Sequence, residues 1–103
     1  MTRFYVLSGA AEEDLRGITQ HTLEQWGAVQ CRTYIAALEA KAVAVAKGEG
    51  VFKDMSSLIP GLRVATSGKH YIFCLSRPNA LPIILAILHE RMDIMARLKS
   101  RLS

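Results

Sequence analysis

The segment Pro82-Ile83-Ile84-Leu85-Ala86-Ile87-Leu88 passes without a turn signal into His89-Glu90-Arg91-Met92-Asp93, and then into a basic amphipathic tail ending at Leu102. Proline can open a strand but not sit in its middle, and the β-branched residues behind Pro82 suit a sheet interior better than an exposed edge. A buried strand therefore hands over directly to charged residues, which stand on a rigid base. Binding and chemistry concentrate where a scaffold holds polar groups in this way.

Upstream of this strand the sequence alternates with a period of two. Leu62 and Val64 alternate with Arg63 and Ala65, and Thr66-Ser67-Gly68-Lys69 reads as a turn. His70 to Ser76 reads as a second strand with Tyr71, Phe73 and Leu75 on one side, and Arg77-Pro78-Asn79 closes another turn. Three strands thus form a meander.

The first half is helical. Phe4 to Leu7 is a short strand candidate, Ser8 stands at an N-cap position, and Glu12, Glu13 and Asp14 complement the helix dipole. Ala11, Leu15, Ile18, Thr22 and Trp26 share one face up to Gly27, a natural stop, where Trp26 is expected to pack at the bend. Cys31, Tyr34, Ile35, Leu38, Ala42 and Val45 form a second face ending at Lys47-Gly48. Glu49 to Gly61 reads as a loop pinned by Phe52, Met55 and Leu58. The expected fold is α+β, in one domain spanning residues 1–103. A small, mostly antiparallel sheet carries an N-terminal helical hairpin on one face and a short C-terminal helix, in the order β-α-α-β-β-β-α.

Composition narrows the function. The net charge is +4, and His89 to Ser103 carries four basic residues against two acidic ones, which favours an acidic partner. Leu81 to Leu88 is too short to span a bilayer, and the first residues lack a signal-peptide apolar core, so a cytoplasmic location and no membrane partner are expected. Cys31 and Cys74 read as two buried thiols. His21, His70 and His89 are not at metal-ligand spacing and no phosphate-binding glycine loop is present, so no metal or cofactor is expected.

What remains is a constellation of Arg63, Lys69, His70, His89, Arg91 and Asp93, which an antiparallel meander could gather at one edge. One reading is an anion-recognising or acid/base surface, in which guanidinium groups hold phosphate or carboxylate. The other is that Arg91 and Asp93 make local contacts while His89 fills a strand end. Met92, Met95, Leu98 and Leu102, spaced by three, three and four, face either the core or a partner.

Asp14-Leu15-Arg16-Gly17-Ile18, Trp26-Gly27-Ala28-Val29-Gln30, Tyr34-Ile35, Gly61-Leu62-Arg63, His70-Tyr71-Ile72-Phe73 and Ile87-Leu88-His89-Glu90-Arg91-Met92-Asp93 occur in that order along nearly the whole chain. Together they resemble the ParE toxins of bacterial ParDE toxin–antitoxin modules, in particular the plasmid type. The resemblance implies a RelE-like fold and inhibition of DNA gyrase by trapping it on cleaved DNA. It also implies neutralisation by a ParD-type antitoxin, whose C-terminal helix and tail cover the toxin. The protein would then be an interaction partner and not an enzyme, with no sequence-specific nucleic-acid binding of its own. Exposed charge on the rigid strand end suggests a gyrase-facing surface of His89, Arg91, Asp93 and Arg97, with Arg63 and Lys69 adjacent. Met92, Met95, Leu98 and Arg101 are the candidate antitoxin contacts. The alternative is a RelE-like, ribosome-dependent mRNA endoribonuclease, although no aromatic residue follows Phe73 to supply the terminal tyrosine of that type.

Overall fold

The run after Pro82 becomes a strand flanked on both sides. The structure, a computed structural model, describes residues 4–102. The elements are β1 (Val6–Leu7), α1 (Gly9–Lys47), β2 (Lys53–Asp54), β3 (Leu62–Ser67), β4 (His70–Leu75), β5 (Ile83–His89) and α2 (Ile94–Leu102). The sheet order is β1-β5-β4-β3-β2, with β1 parallel to β5 and every other pairing antiparallel. The α+β class and the mostly antiparallel sheet agree with the sequence.

Helix α1 covers one face of the sheet. Ala11, Leu38, Ala42, Val45 and Ala46 pack on Ala65, Ile72, Cys74, Ile84 and Ile87. Helix α2 covers the other, where Leu98 packs among Leu62, Phe73, Ala86 and Leu88. Ser8 caps α1 by accepting from the Ala11 N–H at 3.0 Å. A straight helix of 39 residues would be about 58 Å long, yet the longest dimension of the fold is 39 Å. The chain bends at Gly27, where φ is 85° and ψ 175°, a conformation closed to most side chains. Beyond the bend, Cys31 Sγ reaches the Thr19 carbonyl, twelve residues back, at 3.4 Å.

Strand β5 carries a β-bulge that the sequence pattern does not show. Phe73 pairs with Ala86 and Cys74 with Ile84, so Leu85 is the extra residue. Ile84 and Ile87 consequently face α1, while Ala86 and Leu88 face α2. Strict alternation from Ile84 would send Ile87 and His89 to the α2 side. The bulge instead delivers His89 to the α1 side, opposite His70.

Because β1 pairs only at Val6 and Leu7, the outer edge of β5 needs other partners from Leu85 onward. Ser8 Oγ and Arg101 Nη1 donate to the Leu85 carbonyl at 3.2 and 3.0 Å, and Asp14 Oδ2 accepts from the Ile87 N–H at 2.9 Å. Arg101 and Asp14 are themselves joined by two hydrogen bonds of 3.0 and 2.9 Å. Side chains from the two helices thus complete a strand edge.

Several local expectations change. Only Val6–Leu7 of the expected Phe4–Leu7 strand is extended in the sheet, and the loop contains the edge strand β2. Phe52 and Met55 do pack inward, but Leu58 is 46% exposed and Ile59 takes its place in the core. Trp26 does not pack at the bend but is 68% exposed, with Leu23 and Val29 on either side of it exposed as well, so the chain around Gly27 stands out from the core. Cys31 and Cys74 are buried and unpaired, and burial pushes the Cys74 thiol up to about 11.

Candidate functional site

A cleft of about 840 Å³ opens between the bend of α1 and the adjoining ends of β4 and β5. Its floor is an ordered chain of polar groups. The Lys69 N–H donates to the Tyr34 hydroxyl at 3.1 Å, and that hydroxyl lies 2.6 Å from His70 Nδ1 and 3.4 Å from the Ser67 carbonyl. Since a backbone N–H can only donate, the Tyr34 oxygen is the acceptor there. Its own proton goes either to His70 Nδ1 or to the Ser67 carbonyl, and in the second case the His70 Nδ1–H donates to the Tyr34 oxygen. His89 is fixed, because its Nδ1 accepts from the Arg91 N–H at 3.0 Å. The neutral His89 imidazole therefore carries its proton on Nε2.

The His70 ring meets Tyr34 and His89 edge-on, with centroids 5.6 and 5.1 Å away. Burial holds the His70 imidazole down to about 4. The charges of His89 and His21 act in the same direction, and those of Asp14 and Glu90 oppose them. Tyr34 can approach the β3–β4 turn only because residue 68 is glycine. Its φ is +57°, and a Cβ there would lie 2.6 Å from the Tyr34 ring.

Acidic residues in the cleft are engaged, whereas its cations are not. Asp14 is held by Arg101 and the Ile87 N–H, and Glu13 by Arg16. Lys69 and Arg91, which also line the cleft, form no ion pair among the described residues. These two cations and the His89 Nε2–H suit the arrangement to an anion, while Glu90, whose charge also reaches His70, opposes it. Among the described residues no group of three His, Cys, Asp or Glu side chains is placed to hold a metal ion.

Of the residues singled out in the sequence, Lys69, His70, His89, Arg91 and Met92 meet at this cleft. Arg63 does not. Its guanidinium donates to the Val45 carbonyl at 3.2 Å and stacks on Phe52, four residues along β3 from Ser67, so it fastens the end of α1 to the sheet. Asp93 caps α2 by accepting from the Ala96 N–H at 3.2 Å, while Arg97 is exposed on that helix. Met92 and Met95 are 43% and 45% exposed, but Leu98 is 1% exposed and Arg101 is tied to Asp14 and Leu85. Leu98 and Arg101 belong to the fold, not to an open surface. Tyr34, His21 and Trp26, which also border the cleft, were not legible as site residues. The helical spacing of Tyr34 and Trp26 marks a packing face, His21 lies on neither face, and the bend and the bulge bring all three to the cleft of His70 and His89.

These features describe a small α+β protein with a cationic cleft, and comparison with known proteins places it among the toxins of type II toxin–antitoxin systems. The family described as the ParE toxin of the type II system parDE matches residues 5–94. The chain belongs to the ParE toxin family. It is 54% identical over 98 residues to the toxin ParE of Escherichia coli, covering 95% of each chain. It is 28% identical over 94 residues to the toxin ParE1 of Mycobacterium tuberculosis, covering 91% of this chain and 96% of the relative. Its fold matches a chain of the solved chromosomal ParDE system from P. aeruginosa with a TM-score of 0.62. That match has 17% identity and covers 82% of this chain and 92% of the other.

Proposed function

We propose that this ParE-family toxin inhibits DNA gyrase by stabilising the complex in which gyrase has cleaved DNA, and that a ParD-type antitoxin neutralises it. The observation that carries this reading is the family match over residues 5–94, supported by 54% identity to a ParE toxin over nearly the full length of both chains. The protein acts by binding in the cytoplasm, without making or breaking bonds. No helix among the described residues is long and apolar enough to cross a membrane.

Physical chemistry favours Lys69, His89 and Arg91 as the gyrase-facing group, with Arg97 on the adjoining helix. These cationic or hydrogen-bonding side chains stand at the end of a rigid sheet, and a large acidic partner would be drawn to them. Met92 and Met95 offer flexible apolar contacts to an amphipathic antitoxin helix, whose acids would meet the same cations. The test runs purified gyrase on relaxed plasmid with the toxin, beside a translating extract probed for transcript cleavage. Loss of supercoiling with accumulation of cleaved plasmid, reversed by the antitoxin, is expected. Transcript cleavage with gyrase unaffected would refute the reading.

A further inference from the structure

The Nε2 atoms of His70 and His89 have no hydrogen-bond partner among the described residues, and that of His89 carries its proton. Among the described residues no buried side-chain polar atom lacks a partner, so both atoms reach solvent, and both residues line the cleft. The His89 Nε2–H donor lines the same cleft as Lys69 and Arg91, which form no ion pair among the described residues, and together they make an oxyanion receptor. On the rim stands Trp26, whose indole is 68% exposed although no core contact accounts for its presence. The cleft volume of about 840 Å³ lies within the range of small-molecule sites.

We propose that this cleft binds a nucleotide unit, its phosphate held by His89, Lys69 and Arg91 and its base laid on the face of Trp26. A flat aromatic surface beside a phosphate receptor is the arrangement by which proteins take up nucleotides without reading their sequence. A free nucleoside monophosphate and one residue of a single strand present the same chemistry to the cleft. The inference is independent of the gyrase reading, since it needs no second protein.

Trp26 is the only tryptophan in the chain, so its emission reports on the site directly. The intact protein is titrated with thymidine 5′-monophosphate, thymidine, inorganic phosphate and a short oligothymidylate, with imidazole proton resonances followed in parallel. The nucleotide and the oligonucleotide are expected to quench Trp26 and shift the His70 and His89 signals, thymidine to do neither, and phosphate to compete. Equal affinity per site identifies the free nucleotide as the ligand, and tighter binding of the oligonucleotide identifies the strand. Lys69→Gln and His89→Ala, each checked by circular dichroism, are expected to weaken binding about tenfold. Unchanged emission and imidazole signals at about 10 mM nucleotide, or quenching that survives in both variants, would overturn the proposal. Because gyrase is absent from this assay, such a failure leaves the gyrase reading intact.

Discussion

Arg101, in the last turn of α2, and Asp14, in the second turn of α1, form a two-pronged pair across the edge of β5, with nitrogen–oxygen distances of 2.9 and 3.0 Å. Both side chains are largely buried, and each also serves a backbone group of β5. Asp14→Ala would leave the Arg101 charge and the Ile87 N–H without their partner at once, so a loss of about 2–4 kcal/mol is expected. Arg97→Ala, on the exposed face of α2, should stay within about 0.5 kcal/mol of the parent. Urea denaturation of the two variants checks the contrast.

Gly68 and Gly27 both have positive φ, but only at Gly68 does a neighbouring side chain stand in the way of a Cβ. Alanine at either position carries backbone strain, and at 68 it must also displace Tyr34 from Lys69 and His70. Gly68→Ala is expected to cost about 2–3 kcal/mol and Gly27→Ala about 1 kcal/mol. Thermal midpoints should show the first falling clearly further than the second.

His70 gives the stability a definite pH dependence. Its imidazole titrates at about 4 in the folded chain, against about 6.5 when unfolded. Between those values the unfolded state binds more protons, so stability falls as pH drops from about 6.5 to about 4 and is insensitive to this group above that window. His70→Gln should lose this part of the decline. Stability curves of parent and variant, measured from pH 7 to pH 4, should converge toward the acid end.

Much of the fold was legible because its signals are local. Ser8, Gly27 and Gly48 punctuate α1, and the alternation of Leu62 to Leu75 marks β3 and β4. Strand β2 escaped notice because two residues, Lys53 and Asp54, carry no periodicity. The cleft was only half legible. His70, His89 and Arg91 stood out by residue type, but their union with Tyr34 depends on the bulge at Leu85 and the bend at Gly27, which act through space. Arg63 and Arg101 looked like surface residues for the converse reason, since nothing in their spacing reveals that Val45 and Asp14 wait to receive them, while the spacing of Leu98 left core and partner both open.

The proposed contact between gyrase and the cationic corner at the end of β4 and β5 is tested most directly by reversing the charge of Lys69 and Arg91 together, Lys69→Glu with Arg91→Glu, and titrating the folded variant against gyrase supercoiling. At least about tenfold more variant than parent is expected to be needed for half inhibition, with an unchanged circular dichroism spectrum. Parental potency in that folded double variant would contradict it.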